Sequence, residues 1–357
     1  MPKASAPAVP EASSPIARKS VTSGKGLMTE YSRESLVSPG IVTDAAKVII
    51  KALREQVPEL QPSSPLSIRF DDAYLNRFVI ARKFHFEDVL LMIKTHIEWF
   101  KSFSVSEITD FRFTELDEFR ALYPHGYHGV DRQGRPVYIE RYSKMNVEGI
   151  YKLTTMDRVC KYWVQGYEKL LYERFPACPT SNGQSCVILD MSGVRLGMFD
   201  SRAREFLKMV SKISSDNYPE TLGILFVANV PSFFSVLYSV AKPMIPADTK
   251  KKIHVLTPKR TKEELLKYIS ADQLPEFLGG TCRCSSSPAD DHGCLQSDRG
   301  PWNTGPEGDF DDFVSCYDGE IANILSFRTV DHFVDPIEPR KRSWFTRLFT
   351  CGKLNDI

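Results

Sequence analysis

Hydrophobic positions along the chain change period after the first third. From about Ile41 to Phe103 they recur at helical spacing. VIIKALREQV reads as a short amphipathic helix. Asp71 and Asp72 open AYLNRFVIARKF, where Leu75, Phe78 and Val79 fall three and four apart. Glu87 and Asp88 precede VLLMIKTHIEWFKSF and sit in its first turn, where acids favour the positive end of a helix. The pattern predicts a helical N-terminal lobe over residues 41–122.

Beyond Pro124 the pattern alternates between short apolar runs and longer helical ones. DRQGRPVYIERY sets a glycine turn before an apolar stretch, as in a hairpin. Residues 154–175 read as a helix, and CVILDM as a buried strand. Residues 200–214 read as a helix, GILFVANV as a second buried strand, PSFFSVLYSVAKPMI as a nearly all-apolar helix, and IHVL as a third short strand. TKEELLKYI is a further helix, entered through a capping box of Thr261 and Glu264. Strands alternating with helices imply right-handed crossovers and a mainly parallel sheet, an α/β fold. In ADTKKKIHVL, three lysines run into Ile253, Val255 and Leu256, and composition alone treats them as one basic patch.

The ends differ in kind. Residues 1–40 are rich in Ser, Ala and Pro and bury too little apolar surface to offset chain entropy, so they are expected to be disordered. Residues 284–339 turn polar and loop-like. The last segment, 340–357, opens with RKRSWFTRLFTCGK, with Trp344, Phe345, Leu348 and Phe349 on one helical face among basic residues. That pattern fits a membrane-surface element and equally a tail packed back on the domain.

A length of 357 residues leaves room for one large domain or two. The formal net charge of +1 lacks the basic bias of a nucleic-acid protein, so no such partner is expected. No apolar run reaches the ~18 residues of a membrane span, and the N-terminus lacks the apolar core of a secretory signal. Cys160, Cys178 and Cys186 lie in or near apolar segments, which suits free thiols in a reducing, cytoplasmic setting. Cys282, Cys284 and Cys294 cluster without a C-x2-C pair, and His292 does not complete a set, so the spacing assigns no metal. His125 and His128 have no acidic ligand beside them and read as packing or surface residues. None of the phosphate-loop, dinucleotide, nucleophile-elbow or zinc-protease signatures occurs, which favours a binding protein over an enzyme. The apolar helix holds Phe233, Phe234, Val236, Leu237, Tyr238, Val240, Met244 and Ile245. A helix apolar nearly all round is either buried or lines something apolar, and periodicity leaves both open.

The runs YLNRFVIARKF, YHGVDRQGRPVYIE, YERFPAC, CVILDMSGV, NYPETLGILFVANVP and LPEFLGG resemble, in order, the CRAL-TRIO lipid-binding family. GPWNTGPEG, Gly300 to Gly308, narrows the resemblance to its fungal phosphatidylinositol/phosphatidylcholine transfer branch. The likeness covers roughly residues 66–310. It implies a helical lobe followed by a twisted, mainly parallel sheet flanked by helices, over residues 123–283, enclosing one phospholipid beneath a mobile helical gate. The gate would be the apolar helix with Phe233, Phe234, Leu237, Tyr238, Met244 and Ile245, hinged at Gly223 and Gly280. The family's phosphatidylinositol headgroup site carries over to Arg82, Lys83, Glu220, Thr249 and Lys252. The phosphate asks for cations and a hydroxyl, and the inositol hydroxyls for a carboxylate. The second, phosphatidylcholine-like site carries over to Tyr127, Tyr138, Tyr167 and Ser185. Its threonine position holds Val187, which leaves phosphatidylcholine, another lipid or a sterol-like molecule open, and with them the alternative of a carrier or sensor of another hydrophobic ligand that acts as a regulatory adaptor. The resemblance implies no cofactor beyond the bound phospholipid. It implies a monomer that meets membrane surfaces, Golgi or endosomal ones among them, and presents lipid to lipid kinases.

Overall fold

The computed structural model describes residues 38–198, 200–234, 247–284 and 292–303. Helices α1 (Asp44–Gln56), α2 (Asp72–Ala81), α3 (Phe86–Ser102) and α4 (Leu116–Leu122) form the N-terminal lobe. α1 begins at Thr43, whose hydroxyl accepts from the Ala46 amide, and α2 begins at Asp71, whose carboxylate accepts from the Tyr74 amide. Glu87 and Asp88 lie in the first turn of α3, as their sequence position predicts.

The lobe's core runs without a break into α6 (Met156–Lys169) and α7 (Ser201–Asn217). Ile50, Phe78, Ile93, Phe119, Tyr123, Val164, Phe206 and Tyr218 belong to one buried cluster. Residues 38–40, which composition groups with the tail, are tied to this body. Gly40 N donates to the Asn182 carbonyl at 2.9 Å, and Asn76 Nδ2 donates to the carbonyls of Pro39 and Ile41.

The sheet has the order β1-β2-β3-β4-β5. Its strands are β1 (His125–Val130), β2 (Pro136–Arg141), β3 (Ser185–Asp190), β4 (Leu222–Ala228) and β5 (Ile253–Val255). β1 and β2 form the antiparallel hairpin, and β2, β3, β4 and β5 run parallel. α5 (Val147–Leu153) and α6 carry the crossover from β2 to β3, and α7 that from β3 to β4. The lysine run is helical: α8 (Ala247–Lys252) passes directly into β5.

Among the described residues the two faces of the sheet are covered unequally. On one, Val137, Ile139, Cys186, Ile188, Phe226 and Ala228 are fully buried against Leu256, Leu265, Ile269, Leu274 and Leu295. α9 (Pro258–Tyr268) supplies much of that cover. It starts at Pro258, three residues before Thr261, so the capping box is not its cap. Thr261 is buried inside the helix, where its hydroxyl donates to Thr257 O and accepts from Asn229 N, both at 3.0 Å. The opposite face carries Val187, Leu189, Leu222, Ile253 and Val255, apolar side chains left only partly buried. Among the described residues no helix is long and apolar enough to cross a membrane.

Candidate functional site

Strand register builds one continuous row across the incompletely covered face. Tyr127 pairs with Tyr138, Tyr138 with Val187, Val187 with Leu225, and Leu225 with Ile253. The row passes from aromatic hydroxyls at the β1 edge to pure hydrocarbon at the β5 edge. A second row, Glu140, Leu189, Val227 and Val255, runs beside it. Phe233 and Phe234 pack on this face. Leu237, Tyr238, Met244 and Ile245 of the expected gate, and Trp344, Phe345, Leu348 and Phe349 of the tail, lie outside the described residues.

The structure brings the three tyrosines of the second-lipid set together. Tyr127 and Tyr138 lie tilted against each other, with ring centroids 4.9 Å apart and planes 48° apart. Tyr167 comes from α6 and lies flat on Tyr218, at 4.6 Å and 8°. Burial pushes the Tyr138 phenol well above its ordinary value, and neighbouring Glu140, Tyr127 and Tyr167 add to the rise. Tyr167 is pushed up to about 12, chiefly by burial. All three therefore stay neutral donors at physiological pH. Ser185 is buried and donates to the Thr221 carbonyl at 3.0 Å, so backbone already engages its hydroxyl. Glu140, which the motifs do not single out, is a buried carboxylate that accepts from Tyr123 Oη at 2.7 Å.

At the other end, Lys252 Nζ meets Glu220 Oε2 at 2.9 Å, with each side chain 25% exposed. Thr249 lies one turn before Lys252 in α8. Glu220 sits in the link from α7 to β4 with φ of 57°, and Lys83 and Phe84, just past α2, have φ of 51° and 62°. Left-handed backbone costs a non-glycine residue ~1–3 kcal/mol and persists only where surroundings enforce it. Arg77 on α2 is one such constraint. Its guanidinium donates to the Glu220 carbonyl at 3.2 Å and lies over the Phe175 ring at 5.0 Å. Burial pulls the Arg77 pKa down to about 10, which leaves it charged at neutral pH. Arg82 is exposed at the α2 terminus. Desolvation lowers its pKa, and the charges of Asp88 and Asp216 oppose that shift. α2 thus faces the α7–β4 link through Arg77.

The two hinge glycines have local explanations. Gly223 is the extra residue of a bulge, since Ser185 pairs with Leu222 and Cys186 with Ile224. At Gly280 a Cβ would lie 1.9 Å from the Leu274 carbonyl oxygen, a close approach only glycine allows.

A sheet with an apolar face that the described residues only half cover, a polar aromatic end and a charged pair at its margin has the make-up of a site for a large amphipathic molecule. Comparison with known proteins agrees. Residues 121–280 match the model of the CRAL/TRIO domain. The chain is 36% identical over 270 residues to the Sec14 cytosolic factor of Schizosaccharomyces pombe, covering 74% of this chain and 90% of that one. It is 44% identical over 231 residues to the Arabidopsis thaliana phosphatidylinositol/phosphatidylcholine transfer protein SFH4, covering 63% of this chain and 37% of the relative. Among solved structures, Sfh5 matches in fold with a TM-score of 0.50 at 19% identity, over 64% of this chain and 84% of that one. The chain belongs to the CRAL-TRIO family of Sec14-like proteins. It spans less than half the length of the first plant relatives it matches, 37% of SFH4 and 43% of SFH7.

Proposed function

We propose that the chain is a non-enzymatic carrier that binds one phospholipid and exchanges it between membranes, with phosphatidylinositol as a principal ligand. The observation that carries this reading is the half-buried row Tyr127–Tyr138–Val187–Leu225–Ile253, with the Glu220–Lys252 pair near its β5 end. The names of the Sec14-like relatives, which include phosphatidylinositol/phosphatidylcholine transfer proteins, support it. Acyl chains would lie against the aliphatic part of the face. The phosphate diester would draw on Lys252, Thr249, Arg82 and Lys83, and inositol hydroxyls would donate to Glu220. A carrier so loaded meets a membrane surface only transiently and presents phosphatidylinositol to lipid kinases there.

Exchange rather than trapping follows from the energies. Two acyl chains carry on the order of 30 CH2 groups, ~25 kcal/mol on transfer from water to oil at ~0.8 each. Lipid taken from a bilayer gains almost none of that, because both environments are apolar. Selectivity then falls to headgroup contacts at ~1.5–3 kcal/mol per hydrogen bond to a charged group. Lys252 and Glu220 satisfy one another at 2.9 Å, so a headgroup displaces an existing pair and the net gain stays modest.

The test is transfer of labelled phosphatidylinositol between vesicles by Glu220→Ala and Lys252→Ala. Each is expected to lose about tenfold or more of phosphatidylinositol transfer, the equivalent of one such contact. Wild-type rates for both variants would refute the assignment. Val187, with no hydroxyl in the middle of the row, favours a second reading in which the other ligand is less polar than phosphatidylcholine. Mass spectrometry of lipids extracted from protein purified from its native cells separates the two.

A further inference from the structure

Four side chains able to bind a metal meet on the side of β1 away from Tyr127. His128 comes from β1, Cys282 and Cys284 from the segment after α9, and Cys294 from α10 (His292–Gln296). Their ligand atoms all lie within 4.8 Å of one another, and three of the four residues are buried. Cys282 Sγ and Cys284 Sγ are 3.8 Å apart, and Cys284 Sγ is 3.8 Å from His128 Nδ1. A tetrahedral ion with zinc–sulfur bonds of ~2.3 Å holds its sulfurs ~3.8 Å apart. The cluster needs only a small contraction to close on such an ion.

The surroundings also suit an ion. Among the described residues the Nε2 of His128 is buried with no partner, and the ring's polar contacts fall at Nδ1, which faces Ser297 Oγ at 3.2 Å and Cys284 Sγ at 3.8 Å, so an ion at Nδ1 would displace the serine hydroxyl. Three thiolates and a neutral imidazole around a divalent cation leave one net negative charge. Arg299 Nη1 donates to Cys282 Sγ at 2.9 Å and offsets it. The donor set is three sulfurs and one nitrogen, which selects zinc over oxygen-loving magnesium or calcium. A disulfide fits less well. It would link at most two of the three sulfurs and would give neither His128 nor Arg299 a charged partner.

We propose that His128, Cys282, Cys284 and Cys294 form a structural zinc site that clamps the 281–284 segment and α10 to the edge strand of the sheet. Its consequence reaches the tyrosine end of the binding face. Asp298, just past α10, binds Arg174 at 2.8 Å, Arg174 lies over the Tyr127 ring at 4.2 Å, and Trp302 packs edge-on to the same ring. An ion at the cluster would fix the backing of Tyr127. The proposal does not depend on which lipid is bound.

The full chain, purified without chelator, is assayed for metal by inductively coupled plasma mass spectrometry. It is then stripped under reducing conditions and titrated with Co2+. About one zinc per chain is expected, and with cobalt the near-ultraviolet thiolate charge-transfer band and visible bands of a tetrahedral site. Cys284→Ser, at an exposed position where the fold tolerates change, should lose the ion. Arg299→Gln should keep it with ~10–100-fold weaker affinity, as for other groups that support a ligand. Cys160→Ser, away from the cluster, should retain it at wild-type affinity. A folded, reduced chain that takes up neither zinc nor cobalt overturns the proposal. So does full zinc affinity in both Cys284→Ser and Cys294→Ser. A disulfide among Cys282, Cys284 and Cys294, mapped in chain alkylated at lysis, overturns it as well.

Discussion

Val187 stands between Tyr138 on β2 and Leu225 on β4, in the middle of the row that crosses the open face. Resemblance alone marks it as a departure, a valine where related sites have threonine. Register explains why the departure matters, because its side chain is half-buried and points the same way as the paired tyrosines. Val187→Thr keeps the volume and adds one hydroxyl where a headgroup phosphate could accept it. A hydrogen bond to a charged group is worth ~1.5–3 kcal/mol, which converts to about tenfold or more. Phosphatidylcholine transfer by Val187→Thr is therefore expected to rise by about tenfold relative to phosphatidylinositol transfer. Paired vesicle assays with the two labelled lipids measure the ratio, and an unchanged ratio would show that position 187 does not read the headgroup.

At the scale of elements, the short helix α10 depends on a single glycine. A Cβ at Gly126 would lie 2.0 Å from the Leu295 carbonyl oxygen, so α10 can rest on β1 only because residue 126 has no side chain. Gly126→Ala must push α10 off the strand, and overpacking of this kind costs ~1–3 kcal/mol. Urea unfolding should show a lower midpoint with the same slope. A midpoint equal to wild type would mean the contact is not maintained in solution. Elements of this kind are where sequence reading falls short. The helices and parallel strands were legible because their apolar periods differ. The lysine run was not, because Ala247–Lys252 is a single polar helix turned directly into a three-residue strand, with no period to read. Thr261 mimicked a cap while lying inside α9, where it holds Asn229 instead.

The candidate site was legible by motif but not by geometry. Arg82, Lys83, Glu220, Thr249 and Lys252 could be picked out by resemblance, yet only the fold shows Lys252 paired with Glu220 and Arg77 holding the Glu220 backbone. Arg77 escaped notice because α2 reads as amphipathic, with a stripe at Leu75, Phe78 and Val79, whereas its residues 74–79 are all buried. The cysteine–histidine cluster was hidden for a topological reason. Its histidine lies 156 residues before Cys284, on a strand that only the finished sheet brings to the C-terminal segment.

For the molecule as a whole, two histidines away from that cluster tie its layers together and contribute to its response to acid. His96 on α3 bonds Tyr74 of α2 at 2.8 Å and Asn217 of α7 at 3.1 Å. His125 on β1 bonds the Tyr123 carbonyl and, at 2.9 Å, Tyr162 of α6. Burial lowers their pKa values from 6.5 to about 4 and about 3, helped by the charges of Arg69 and Arg120 respectively. The unfolded chain binds protons below 6.5 that the folded chain refuses. Stability is therefore full above that pH and falls as pH drops through the window down to the folded values. Between pH 7 and pH 5 each histidine should cost ~2 kcal/mol. Glu115, held down to about 2 mainly by Arg158, contributes its own acid loss mostly below its ordinary value of 4.5, so it affects this interval little. His96→Gln keeps a donor and an acceptor but cannot titrate. It should be less stable at pH 7 and lose about 2 kcal/mol less than wild type on acidification to pH 5. Urea midpoints at the two pH values test this. Equal acid losses in wild type and His96→Gln would mean that His96 takes up its proton without opening the junction of α2, α3 and α7.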